Sequence, residues 1–139
     1  MRGLYEKLSE WVSTYPALKS WLYFNTTDMS DGNTSLNSTS GHTKVKEFID
    51  GSYDAELKFG LTMVMPYDTE QSTMNLDAFE EVSNFAEWVE NNEDYPDFGE
   101  KYKVTDIYIL DMSPNIAVDT QQSLAKYTFF GVVEYCYNA

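Results

Sequence analysis

The chain has 139 residues, 42% hydrophobic and 16% aromatic, with 23 acidic side chains against 9 basic ones and a formal net charge of −14. That length predicts a single domain, and that much apolar side chain excludes global disorder. Arg2 is the sole arginine, so the chain cannot build the basic patch that displaces counterions from phosphates, which excludes specific nucleic-acid binding.

The plain reading of the acidity is solubility. Two sharper readings are a surface that repels DNA and one that imitates it. The single cysteine, Cys136, cannot form an internal disulfide and suits a reducing compartment. The opening stretch "MRGLYEKLSEWVSTYPALKSW" carries charges at Glu6, Lys7 and Glu10 and no apolar run of signal-peptide or membrane-span length. A soluble protein made in the cytoplasm is expected. The sequons at Asn25, Asn33 and Asn37 then read as loop composition rather than glycosylation sites.

Leu4, Leu8, Trp11, Val12 and Tyr15 recur at helical spacing, which predicts an amphipathic helix over 3–15, ended by Pro16. "SWLYFNTT" predicts a first strand over 21–27. Residues 28–43, rich in Ser, Thr, Asn, Asp and Gly, read as an extended loop with room for a short strand around 34–37, ordered only on assembly. Within it, "DMSDGN" has the wrong acid spacing for a calcium loop. Residues 43–65 form two long strands joined at Asp50-Gly51, a pair that tolerates the backbone of a tight turn. Beyond the turn, Tyr53, Ala55, Leu57, Phe59, Leu61, Met63 and Met65 share one face, and Pro66 stops the alternation.

Asn75 is the expected N-cap of a second helix, "LDAFEEVSNFAEWVENN", with Asp77 and Glu80 favourable near its positive end. Phe79, Val82, Phe85, Ala86 and Val89 form its apolar stripe, with Leu76 at the margin. Trp88 lies off the stripe, where it covers the edge of the core or serves as a candidate subunit contact. "EDYPDFGEKYK" reads as a loop, "VTDIYILDM" as a strand, "SPNIAVDTQQS" as a connecting loop, mobile before assembly, and "LAKYTFFGVVEYCYNA" as a long last strand. The order predicts one α+β domain over 1–139, a mostly antiparallel sheet with two helices packed on one face.

No catalytic pattern emerges. His42, the only histidine, lacks the partners of a triad or a zinc site. Cys136, between Tyr135 and Tyr137, reads as a buried, inert thiol, because reactive cysteines need electropositive neighbours. The glycines are scattered with no phosphate-binding loop. Paired acids such as Glu80-Glu81 and Glu93-Asp94 read as solvated surface. No catalysis, cofactor or metal is expected.

In order along nearly the whole chain, "KEFIDGSYDAELKFGL", "FEEVSNFAEWVE", "YPDFGEKYKVTDIYIL" and "AKYTFFGVVEYCY" resemble the minor capsid or tail terminator proteins of long-tailed bacteriophages and phage-tail-like particles. The most telling pieces are the strand-D-G-S-strand hairpin, Phe85-Ala86-x-Trp88-Val89 and the tyrosine-rich last strand. The resemblance implies a virion protein assembled in the host bacterial cytoplasm. It would form a homo-oligomeric, hexameric ring that caps the head-proximal end of the tail tube. Its partners would be the tail tube protein and a head–tail neck protein, with no membrane involved. Two alternatives stay open: another neck component, stopper or adaptor, and an acidic DNA mimic that inhibits a nucleic-acid-binding protein.

Overall fold

Strand alternation shapes most of this molecule, because one face of each long strand has to leave water. The computed structural model describes residues 2–26 and 28–139. They form α1 (Arg2–Val12), β1 (Leu22–Phe24), β2 (Thr34–Glu47), β3 (Tyr53–Pro66), α2 (Ser72–Asn91), β4 (Tyr102–Ile109), β5 (Asn115–Asp119) and β6 (Leu124–Tyr137). One sheet runs β1-β2-β3-β6-β4. Because β3 pairs along all of β6, β4 and β5 share its other edge, β4 against Gly131–Tyr137 and β5 against Leu124–Thr128. The two behave as one interrupted edge strand. Among the described residues only β1 is parallel to its neighbour. The architecture is α+β, as the alternation predicts.

Ala55, Leu57, Phe59, Leu61, Met63 and Met65 of β3 are all buried, together with Ala125, Tyr127, Phe129, Val133 and Tyr135 of β6 and Ile107 and Ile109 of β4. Leu4, Tyr5, Leu8 and Val12 of α1 and Ala78, Val82, Phe85, Ala86 and Val89 of α2 close the same cluster. Both helices therefore lie on one face of the sheet. Each large side chain so buried contributes roughly 1.5–3 kcal/mol. On the opposite face Thr62, Val64 and Val132 are also buried, outside that cluster.

Several boundaries differ from expectation. α1 stops at Val12; Thr14 N–H reaches back to Trp11 O (3.1 Å) and Tyr15 N–H to Val12 O (3.0 Å), and the Thr14 hydroxyl also donates to Trp11 O (2.6 Å). Three-residue closures of this kind tighten a last turn before a proline. The first strand is short, Leu22–Phe24, with Trp21 outside it and 85% exposed.

The largest correction concerns 28–43. Residues from Thr34 onward are strand, paired with β3 from Thr34↔Met63 to Glu47↔Tyr53. The hairpin therefore begins nine residues before Thr43, and its polar composition has a use. Ser35 Oγ donates to Asn37 Oδ1 (2.6 Å), Asn37 Nδ2 donates to Thr62 Oγ1 (3.0 Å), and Thr62 Oγ1 shares a hydrogen bond with Thr128 Oγ1 (3.3 Å). A chain of polar contacts thus runs along β2 and across β3 to β6 on the face away from the helices, where Val64 and Val132 are also buried. Leu36 adds an apolar side chain to the core, and Thr34, opposite Met63, is buried on the same face.

α2 likewise begins earlier, at Ser72, with Gln71 at the N-cap position. Asn75 is inside the helix, not capping it. Its side chain accepts from Asp68 N–H (3.0 Å) and donates to Asp68 O (2.7 Å), pinning the turn that leads in. Asp77 and Glu80 consequently lie beyond the first turn, which holds no acid. The inward stripe includes Ala78, whereas Phe79 is 40% and Leu76 67% exposed. Within the second expected loop, Asn115–Asp119 is β5. Asp119 Oδ1 accepts from Gln121 N–H (3.0 Å) and Gln122 N–H (3.2 Å), and Ser123 adopts φ 55°, so a tight turn hands β5 to β6.

Candidate assembly surface

The β2–β3 hairpin ends in Phe48–Ser52. Phe48 N–H donates to Ser52 O (2.8 Å), Gly51 N–H to Phe48 O (3.1 Å), and Ser52 N–H to Asp50 Oδ1 (3.0 Å). Gly51 has φ 91°, a value that favours glycine, so the Asp50-Gly51 turn falls where the sequence puts it. The Ser52 amide holds the Asp50 carboxyl below its ordinary pKa, so it stays charged. Ile49, next to it, is fully exposed and Phe48 is 44% exposed. The tip of a highly charged protein thus carries an exposed Ile49 and a partly exposed Phe48, with Lys46 Nζ 5.2 Å from the centre of the Phe48 ring.

A second feature lies beside α1. Tyr5 and Phe24 pack at 5.5 Å between ring centroids and, with Arg2, Glu6, Ser9 and Ser38, line a mainly apolar groove of about 460 Å³. The Tyr5 hydroxyl donates to Lys58 O, which fixes the groove wall to β3. Burial pushes the Tyr5 pKa up. Arg2 stands on the rim and forms no ion pair among the described residues. Polar residues dominate this part of the sequence, and only the pairing of β1 with β2 brings Phe24 to α1.

On the sheet face away from the helices, Glu56, Glu134 and Asp106 stand abreast on β3, β6 and β4. The Tyr108 hydroxyl donates to Glu134 Oε1 (3.4 Å), and burial followed by these carboxylates raises its pKa. One register step away, Asp54, Cys136 and Lys103 are partners across the same strands. Hydrogen bonding to Asp54, burial and the Asp54 charge raise the Cys136 pKa, while Lys103 opposes them. The thiol is therefore held protonated and is a poor nucleophile. It is half-buried rather than fully buried.

Trp88 is half-buried between the helices. Its ring lies 5.0 Å from Trp11 and 5.3 Å from Tyr15, and Tyr15 lies 4.8 Å from Phe85. It closes the core's edge, the first of the two roles its off-stripe position suggests. His42 belongs to β2, opposite Leu57, and its side chain lies outside the described residues. Asn25 and Asn37 are tied into the sheet by their side chains, Asn25 accepting from Ser38 N–H (2.7 Å) and Asn37 donating to Thr62. Asn33 is buried. Among the described residues no group of His, Cys, Asp and Glu could hold a metal ion, and no helix is long and apolar enough to cross a membrane.

A scan against protein-family models finds none that matches the chain. A search of curated proteins returns no significant match. The functional reading therefore rests on the residues themselves.

Proposed function

We propose that this protein is a structural subunit of a phage tail or phage-tail-like particle. It is a tail terminator that forms a ring, hexameric by resemblance, on the head-proximal end of the tail tube. The ring stops tube polymerisation and connects to the neck protein. The observation that carries this reading is the ordered resemblance of four stretches to that family. Those stretches fall on the β2–β3 hairpin, α2, β4 and β6.

The physical chemistry is compatible with that role. A heterologous interface that rotates back on itself closes a ring. An acidic lumen would repel DNA phosphates during passage. The role needs no catalysis, cofactor or metal, only apolar contacts between subunits and toward the tube. Like-charged subunits repel, so ring formation should weaken at low ionic strength, where the Debye length reaches about 30 Å at 0.01 M, and salt should restore it.

A neck stopper or adaptor is the nearest alternative. The row of Glu56, Glu134 and Asp106 gives the DNA-mimic reading one supporting feature, although Lys58 and Lys103 sit on the same face. Deleting the protein from its particle should give tails of uncontrolled length or tails that never join heads. Tails of normal length joined to heads would refute the terminator reading. Negative-stain imaging with purified tubes separates the rest: a ring at the tube end favours the terminator, and tight binding to a DNA-binding protein favours the mimic.

A further inference from the structure

The hairpin tip and the α1 groove are complementary features: the tip closes one end of the β2–β3 pair, and the groove lies near its middle, where Ser38 pairs with Phe59. The tip offers Ile49, fully exposed, and Phe48, flanked by Glu47 and Asp50. The groove offers an apolar floor of Tyr5 and Phe24, with Arg2 and Glu6 on the rim. Ser38, on the groove, and Glu47, at the start of the tip, are both paired within β2–β3. Their partners on β3, Phe59 and Tyr53, are six residues apart, so at about 3.3 Å per residue they stand roughly 20 Å apart, and a chain cannot insert its tip into its own groove.

We propose that the Phe48-Ile49 tip of one copy of this chain seats in the groove between α1 and β1 of a second copy, with Ile49 on Tyr5 and Phe24 and Asp50 facing Arg2. Charge complementarity selects this occupant. In a chain with 23 acids, the sole arginine is exposed and lacks an ion-pair partner among the described residues. It stands where the carboxylate beside the apolar knob would arrive. Lys44 already pairs with Glu47 (3.2 Å), so Asp50 is the acid of the tip left to meet it. A central apolar anchor with a charged rim is the usual anatomy of an energetically dominant contact.

Knob and hole are different patches, so the contact is head-to-tail and repeats from copy to copy. Simple sheet extension is the less favourable route. The free edge of β2 is interrupted by irregular register between Ser38 and His42 and again between Lys44 and Lys46, features that blunt an edge. The inference deepens the ring-forming part of the reading above and does not depend on the ring's capping a tail.

Two single-cysteine chains test it, both in a Cys136→Ser background: Ile49→Cys on the tip and Glu6→Cys on the groove rim. Under mild oxidation the mixture should give a cross-linked pair, and neither chain alone should. Cross-linking of either chain with itself, or none in the mixture, would overturn the proposal. In the full chain, Ile49→Asp should reduce the light-scattering mass to that of one 16.0 kDa chain, with an unchanged circular dichroism spectrum. Arg2→Glu should weaken association at least tenfold, and Arg2→Glu with Asp50→Lys should restore it. A wild-type chain that stays monomeric at every concentration, or an Ile49→Asp chain of unchanged mass, would refute the contact. Such a failure is distinct from failure of the terminator reading, which the deletion phenotype decides alone.

Discussion

The far end of the Phe59 ring lies against Gly131, its cross-strand partner, so closely that a Cβ at Gly131 would come 2.5 Å from Phe59 Cζ. Their chain neighbours repeat the pairing on the other face, where Phe130 lies over Gly60. Two Phe-Gly dipeptides, antiparallel and in register, thus cross at the middle of the sheet. The second approach is looser, 3.6 Å from a Cβ on Gly60 to the Phe130 ring.

That difference sets an asymmetric expectation. Gly131→Ala should cost about 1–3 kcal/mol, because Phe59 would be forced off its rotamer in a packed core. Gly60→Ala, at ordinary contact distance, should cost under about 1 kcal/mol. Phe59→Ala alone should cost about 3–5 kcal/mol, and adding Gly131→Ala to it should then cost little. Urea titrations of the three single variants and the double variant check this; equal costs for the two glycines would contradict it.

Stability should decline on the alkaline side. Burial raises the pKa of Tyr5, Tyr15, Tyr53, Tyr108, Tyr127 and Tyr135 above the ordinary 10.0. Above pH 10 the unfolded chain loses phenolic protons that the folded chain keeps, so folding becomes less favourable as pH rises. The contribution is fully present below pH 10 and is lost as pH climbs toward the folded values. Tyrosinate absorbance should therefore rise in step with loss of ellipticity; complete ionisation in a chain still folded would count against it.

Asn75→Ala should lower stability by about 1–2 kcal/mol, since it removes both hydrogen bonds to the Asp68 backbone in one step. Amide exchange should then speed up at Asp68 and at the start of α2 before the rest of the helix. Uniform change along α2 would mean the contact has no local role.

Trp88→Ala should cost about 2 kcal/mol, because it leaves Trp11 and Tyr15 without the ring that joins α1 to α2. Thermal melts together with light scattering separate its two possible roles. A lower melting temperature at constant mass is expected. A fall in mass at constant melting temperature would place Trp88 between subunits instead.

Cys136 should alkylate slowly in the native state at neutral pH, its thiol kept protonated by Asp54 and burial. Asp54→Ala should speed iodoacetamide labelling by removing the hydrogen-bonding partner. Rapid labelling of the intact wild-type protein would show that the pKa is not raised.

Period-two alternation from Tyr53 to Met65 was legible without coordinates, since burying one strand face demands it. The helical spacing of Leu4, Leu8 and Val12 was legible for the same reason, as was the Asp50-Gly51 turn. The short strand around 34–37 is part of β2, but composition misled at 38–43 and 115–119. Ser, Thr and Asn read as loop because they hydrogen-bond locally in isolation, yet in the sheet Asn37 bonds across to Thr62, which in turn shares a hydrogen bond with Thr128. Asn75 misled similarly, since a side chain that can cap its own helix can equally hold the preceding turn. Of the candidate surface, the tip could be seen in "EFIDGS", two apolar residues where a turn calls for polar ones. The groove could not. Tyr5 and Phe24 lie far apart in the chain, and only the parallel pairing of β1 with β2 and the docking of α1 bring them together. Sequence patterns determined which side chains leave water, because that depends on local periodicity; which distant ones then meet was left to the tertiary structure, because that depends on strand order and helix docking.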